Sequence, residues 1–260
     1  GEDVKIGDKV LASGKLMTSA DIGAIASMGL DTVKTFRRPM VGVLTTGAEI
    51  VEPGEHIKRG QIFNSNAFSL AAQIGSMGLE VIYNGIVRDN PECISAEAER
   101  LMNQADVVLV SGGVSMGDFD FVPQVLEGIG VEIYFKKIAI KPGKPTVFGR
   151  RGNHFVFGLP GNPVSTFIIF EVLVKPFLYR MMAHTYSPPR ITGILKQDFN
   201  RRKASRHELI PVVYSQGTVR VVEYHGSAHI LSLSRANGLL EIPVGVKQIK
   251  KGAEVDVRPV

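Results

Sequence analysis

The segment DVVLVSGG at residues 106–113, an unbroken apolar run closed by two glycines, constrains this chain more than any other. A strand with one wet face alternates apolar and polar positions, whereas an unbroken run suits a strand buried on both faces of a parallel sheet. Two similar runs precede it, MVGVLTTG at 40–47 and LEVIYNGIV at 79–87. Each of the three leads into a helical pattern. Leu70, Ile74 and Met77 recur at helical spacing before Gly78. Ile94, Ala98 and Leu101 do the same behind Pro91, and a short helix is expected from about Phe121 to Leu126. Strand–helix alternation of this kind predicts an α/β class with a doubly wound, mainly parallel sheet.

The pattern then changes. VEIYFKKIAI, TVFGR and HFVFGLPG read as additional strands, and a long apolar helix starts at Pro163 behind Asn162. Paired prolines at Pro188 and Pro189 mark 186–190 as a linker. Beyond it, GTVRVVEYH, HILSLS, LLEIPVG and AEVDVRP read as short strands with no amphipathic helix, which predicts a small all-β, barrel-like domain. Three divisions follow: 1–38, a short piece with an N-cap-like Ser19 and a helix over 20–28 closed by Gly29; 39–185, the α/β domain; and 186–260, the β domain. The chain opens at Gly1 inside a stretch that already reads as structured.

Composition narrows the function. With 44% hydrophobic and 21% charged residues the chain can bury a core, and no apolar run approaches membrane-span length. No signal-like start is present, so a cytoplasmic protein is expected. The single Cys93 excludes an internal disulfide and has no partners for a zinc set. Thirty Lys and Arg against 25 Asp and Glu give a net charge of +5, scattered in small groups, which suits a small polyanionic ligand. Without tryptophan or a recognisable reading motif, nucleic acid is not the expected partner.

Candidate chemistry gathers at the ends of the strands, where open parallel sheets bind ligands. In SGGVSMGDFD at 111–120, Gly112, Gly113 and Gly117 permit tight turns and close approach to an anion, and Ser115 can donate a hydroxyl. Glu49, Asp89 and Asp120 follow three different strands and so can converge on a magnesium ion and bound phosphates, whereas Asp118 is expected to cap a helix. KKIAIKPGKP at 136–145 supplies Lys136, Lys137, Lys141 and Lys144, with Pro142 and Gly143 suited to the centre of a type II turn; Lys136 is expected to be a solvated bystander. GLPGNPVS at 158–165 joins a strand to a helix with Asn162 as N-cap and Pro163 at the first position, leaving N–H groups for an anion. The six histidines are dispersed and are given no ligand role.

Taken in order, TTGAE, SNAF, IVRDN, SGGVSMGDFD, IKPGKP, GLPGNPVS and LSLSRANGLLEIP resemble the molybdopterin molybdotransferase family, to which the E domain of gephyrin also belongs. The resemblance covers the whole chain and implies a magnesium-dependent enzyme of molybdenum cofactor biosynthesis. Such an enzyme takes adenylated molybdopterin and molybdate, hydrolyses the adenylate, and leaves molybdenum on the dithiolene with release of AMP. It further implies a homodimer whose active sites lie where two subunits meet, and a molybdopterin adenylyltransferase as a possible partner. By the same resemblance Glu49, Asp89 and Asp120 bind metal or assist hydrolysis, and Lys137, Lys141 and Lys144 hold phosphate or molybdate. Pro160 and Pro163 shape the wall, and Arg206 and Ser227 contact the incoming oxyanion. Two departures are expected to matter: Ala48 stands where the family carries an acidic residue, and the family's N-terminal region, with its inserted domain, is expected to be missing. Two rivals remain: the adenylyltransferase itself, against which the β domain speaks, and a noncatalytic scaffold like gephyrin.

Overall fold

The computed structural model describes residues 3–113, 121–223 and 226–260. Helix α1 (Ser19–Ser27) is capped one residue earlier than expected. The Thr18 hydroxyl accepts from Asp21 N–H and the Asp21 carboxylate accepts from Thr18 N–H, a reciprocal capping box that Ser19 could not form. Strand β1 (Val41–Thr46) is buried throughout and is followed by the two-residue strands β2 (Ile50–Val51) and β3 (Ile62–Phe63). Helix α2 (Ser65–Ser76) is capped by the Asn64 side chain and buries Leu70 and Ile74, spaced one turn apart. Burying each contributes roughly 1.5–3 kcal/mol. Strand β4 (Val81–Val87) lies at the sheet edge and is only half-buried. Asn90 caps α3 (Pro91–Met102), with Pro91 in its first turn and Ile94, Ala98 and Leu101 inward as expected. Strand β5 (Val107–Ser111) is fully buried and leads to α4 (Val122–Gly128).

Strands β6 (Glu132–Phe135), β8 (Val147–Arg151) and β9 (His154–Leu159) complete a six-stranded sheet in the order β4-β1-β5-β9-β8-β6. The first four are mutually parallel, and β8 and β6 add antiparallel pairs. Alternate residues of β1, β5 and β9 feed opposite faces. Val43, Leu109 and Phe157 pack under α2 and the long C-terminal helix, while Leu44, Val108 and Val156 pack under α3 and α4. This is the doubly wound arrangement. The long helix consists of α5 (Pro163–Ile169), a π-helical turn at Phe170–Val174, and α6 (Lys175–Met181). In the π turn the buried Glu171 accepts from Gln73 Nε2 and Lys175 Nζ, both at 2.9 Å, and Gln73 Nε2 also donates to the Phe167 carbonyl at 3.3 Å. Desolvation pulls the Lys175 ammonium down, but the Glu171 carboxylate outweighs it and holds its pKa above the ordinary value. In α6, Phe177 packs edge-on against Phe148, Phe155 and Phe157. No helix among the described residues is long and apolar enough to cross a membrane.

Residues 186–190 form neither helix nor strand. Beyond them β10 (Ile191–Leu195), β12 (His207–Ser215), β13 (Thr218–Val221), β14 (Gly238–Ile242) and β16 (Glu254–Pro259) close on themselves as a five-stranded barrel. The barrel-like expectation holds; β11 (Phe199–Asn200) and β15 (Gln248–Ile249) form a separate two-stranded pair. Two details differ from the sequence reading. HILSLS contains a short helix, α7 (Leu231–Ser234), rather than a strand, because Leu233 and Ser232 turn inward at the barrel mouth. The long strand β12 went unread because Pro211 breaks an otherwise strand-like run; in the fold the Pro211 carbonyl accepts from Val222 N–H.

The two sheets are joined. Strand β7 (Ile140–Lys141), from the α/β half of the sequence, pairs in parallel with β12, setting Ile140 beside His207 and Lys141 beside Glu208. Below this seam, Val164 and Ile168 of α5 pack against Leu209, Leu233 and Leu239 of the barrel half. Leu209→Ala is expected to cost about 2–5 kcal/mol, the range for a leucine-sized core cavity. Since the cluster is common to both halves, the loss should register in both sheets, as measured by urea denaturation with hydrogen exchange followed at Val108 and Leu240. A second expectation concerns acid. The Arg37 guanidinium clamps Asp106 at 2.5 and 2.7 Å and, with Met40 N–H, holds its carboxyl below the ordinary 3.8. Asp106 therefore adds stability that is fully present above that pH and is lost as pH falls through its depressed value. Asp106→Asn should flatten the acid limb of the stability curve below about pH 4, read by the urea midpoint at stepped pH.

Candidate functional site

The carboxyl ends of β1, β5 and β9 approach more closely than any side chain would permit. A Cβ on Gly112 would lie 2.1 Å from the Thr46 carbonyl oxygen, and one on Gly113 would lie 2.8 Å from Val122 Cγ2. Both glycines also have positive φ, 98° and 62°. Gly161, after β9, faces Gly112 across an ordinary van der Waals gap. Asn66, in the first turn of α2, is buried and donates through Nδ2 to Ser111 Oγ and to the Gly161 carbonyl, both at 2.8 Å. One amide thus ties three loops together. No local pattern in the sequence marks Asn66, because its two partners lie 45 and 95 positions away.

The carboxylates stand beside these loops. Asp89 accepts from Thr46 Oγ1 at 2.9 Å, and because Asn90 caps α3 the Asp89 side chain is spared that structural task. Glu49 is exposed on the turn after β1 next to the exposed Ala48, with Oε2 3.2 Å from where a Cβ on Gly47 would stand. Both present carboxylate oxygens, the donors magnesium takes. Among the described residues, no group of three or more His, Cys, Asp and Glu side chains that could hold a metal occurs. Ser115, Gly117, Asp118 and Asp120 lie outside the described residues. Beneath the same turn, Tyr83 donates to Glu52 and accepts from Asn64 Nδ2 at 2.5 Å. Burial, and then the Glu52 carboxylate, push its phenol well above the ordinary range, so it remains protonated.

A cleft of about 800 Å³ opens between this half and the barrel. Lys141, Lys144, Pro160, Asn162, Arg206 and Ser227 line it, so six of the expected site residues meet in one space. The barrel loop is fixed to the helix start by the Ser227 carbonyl, which accepts from Val164 N–H at 3.0 Å. Lys144 is exposed and has no ion-pair partner among the described residues. Arg206 donates to the Ile140 carbonyl at 3.4 Å and otherwise faces the cleft. Glu49, Asp89, Gly112 and Gly113 do not line this cleft; they form the adjoining sheet-end region, reached past Gly161 and Asn66.

Two expectations need correction, and the placement of the remaining loop residues follows them. The peptide before Pro142 is cis and Gly143 has φ 121°, so the lysine turn is not type II; its loop closes by Ile138 N–H donating to the Lys144 carbonyl at 3.0 Å. Asn162 stands at the N-cap position but makes no side-chain cap bond. The Val164 N–H that such a cap would satisfy donates instead to the Ser227 carbonyl, and Asn162 lines the cleft. Pro163 starts α5 but does not line the cleft, and neither does the exposed Lys137. Lys136 pairs with Glu127 at 2.7 Å, the bystander role expected of it. Lys141 is not an unengaged cation: its Nζ meets Glu208 Oε1 at 2.7 Å.

Comparison with known proteins covers both halves of the chain. A family model described as a probable molybdopterin binding domain matches residues 42–180, and one for the MoeA C-terminal region (domain IV) matches residues 192–260. The molybdopterin molybdenumtransferase of Haemophilus influenzae is 36% identical over all of this chain and 65% of its own length. That of Staphylococcus epidermidis is 31% identical over 99% of this chain and 62% of its own. The crystal structure of a molybdopterin biosynthesis MoeA protein from Pyrococcus horikoshii superposes with a TM-score of 0.83 at 34% identity, covering 95% of this chain and 61% of that one. The chain therefore spans a little under two thirds of the length of these relatives. With both domain models matched in order, and the lysine loop, the Pro160–Asn162 corner and the barrel wall meeting around one cleft, the chain belongs to the MoeA-type molybdopterin molybdenumtransferase family.

Proposed function

We propose that this protein is a cytoplasmic enzyme of molybdenum cofactor biosynthesis that inserts molybdate into adenylated molybdopterin and releases AMP. The observation that carries this reading is the cleft itself. It is about 800 Å³, large enough for an organic phosphate, and its wall presents Lys144 and Arg206, neither of them ion-paired with a carboxylate among the described residues. Fixed cations on a rigid wall neutralise a polyanion with little ordering cost. The C-terminal barrel, which supplies Arg206 and Ser227, favours insertion over the preceding adenylylation.

The residues divide the work. The sheet-end glycines, Gly112 and Gly113 with Gly117, let backbone N–H groups approach the phosphates, and Ser115 adds a hydroxyl. Lys141, Lys144, Asn162, Arg206 and Ser227 receive the oxyanion against the wall formed by Pro160, while Lys137 and Pro163 act from outside it. Asp89, oriented by the Thr46 hydroxyl, would hold a magnesium ion with Glu49 and Asp120. When bound, that ion would offset the charge that develops as the phosphoanhydride breaks. Thr46 keeps one Asp89 oxygen engaged and leaves the other for this task. A homodimer, and delivery of substrate by a molybdopterin adenylyltransferase, belong to the same proposal.

The test is molybdate-dependent AMP release from adenylated molybdopterin with magnesium. The protein should release AMP, and Asp120→Ala should abolish it. Lys144→Ala should lower kcat/KM by about 10- to 100-fold, the worth of one charge-assisted hydrogen bond. Pterin binding without AMP release would overturn the enzyme assignment and leave a noncatalytic binding unit.

A further inference from the structure

Glu208 has no part in the function proposed above, yet it is the most deeply placed carboxylate on the cleft wall: it is 7% exposed and lies beside Lys141 in the β7–β12 pairing. Its two oxygens are divided between two cations. Oε1 meets Lys141 Nζ at 2.7 Å and Oε2 meets Arg201 Nη1 at 3.2 Å. The two cations are not equivalent. Arg201 is 4% exposed in its side chain and donates to the carbonyls of Val246, Arg206 and Pro243, so it is fixed to the barrel. Lys141 keeps 46% of its side chain exposed, and its ammonium has Glu208 as its ion-pair partner. Glu208 is thus anchored at one oxygen, while at the other it holds a half-exposed ammonium at the edge of the cleft.

We infer that Glu208 is a specificity-determining residue that parks the Lys141 ammonium and sets a charge threshold for the cleft: an incoming oxyanion recruits Lys141 only by outcompeting a buried carboxylate. The physics fixes the sign. A carboxylate beside the binding site repels any anion, and the ammonium it holds must exchange one full negative partner for another. A tetrahedral dianion recovers that cost, whereas a monoanion of similar size does not. Molybdate is therefore bound and perchlorate is refused by the same wall. This inference rests on the oxyanion role proposed for the cleft, but its readout is anion binding rather than turnover.

The experiment is calorimetric titration with molybdate, phosphate and perchlorate, comparing the protein with Glu208→Gln, which keeps the shape and one acceptor for Arg201. The Gln form is expected to bind molybdate about 10-fold more tightly, in line with the worth of one charge-assisted contact, and to gain measurable perchlorate binding. Damage to the fold would weaken binding, so tightening separates this role from a merely structural one. In Glu208→Gln with Lys141→Met the gain should vanish; a gain that persists would mean Lys141 is not the released group and would overturn the inference. So would unchanged or weaker binding in Glu208→Gln with a native circular dichroism spectrum. If the parent protein takes phosphate but not molybdate, the molybdenum reading fails while the threshold is still read on phosphate against perchlorate. If neither form binds any of the three, the inference falls.

Discussion

The cleft depends on a short strand that leaves one sheet and is hydrogen-bonded into another. Ile140 and Lys141 lie between β6 and β8 in the chain, yet they pair with His207 and Glu208 of the barrel. A parallel register fixes which side chains are neighbours. It sets Lys141 beside Glu208, holds the following Pro142–Pro145 loop over the barrel mouth, and brings that loop opposite the corner at Pro160–Asn162. Without this seam the two halves would be joined mainly by the apolar cluster under Leu209, the Val164–Ser227 hydrogen bond and the segment over 186–190, and the lysine loop would lose its register against the barrel.

The sheet-end region is maintained in a different way, by excluding side chains. Gly112 lies where the Thr46 carbonyl leaves no room for a Cβ, and Asn66 spends its amide on two acceptors belonging to two other loops. A buried amide is costly unless it is satisfied, so the position of the loops and the satisfaction of Asn66 reinforce each other. The region is stiff for this reason, and Thr46 extends the stiffness to Asp89.

Much of this was legible in the residues. Burial on both faces wrote itself into β5 as an unbroken apolar run, and helical spacing located α2 and α3. Glycines at strand ends marked the loops because close backbone approach excludes most other residues. What escaped was whatever depends on distant pairing. Pro211 concealed β12, because a proline inside a strand-like run argues against a strand until one sees that the positions around it pair elsewhere. Glu208 carries no local signal, and only the β7 register reveals that it lies beside Lys141. Asn162 occupies a cap position without capping, and the Val164 N–H it would have received donates to the Ser227 carbonyl of the distant barrel loop. The resemblance supplied the roles of Arg206 and Ser227, which no local pattern would have picked out.

The π turn at Phe170–Val174 works as a phase adjuster. Upstream, α5 must aim Val164 and Ile168 at the barrel; downstream, α6 must aim Phe177 at the aromatic cluster on β8 and β9. A regular helix advances 100° per residue, and a π turn sets the residues after it at a different phase from that regular progression. The extra residue shifts that phase, and Gln73 Nε2 donates to the Phe167 carbonyl just before the turn. The helix therefore carries two unrelated angular commitments, and the length of the segment between them is as constrained as the identity of any residue in the cleft.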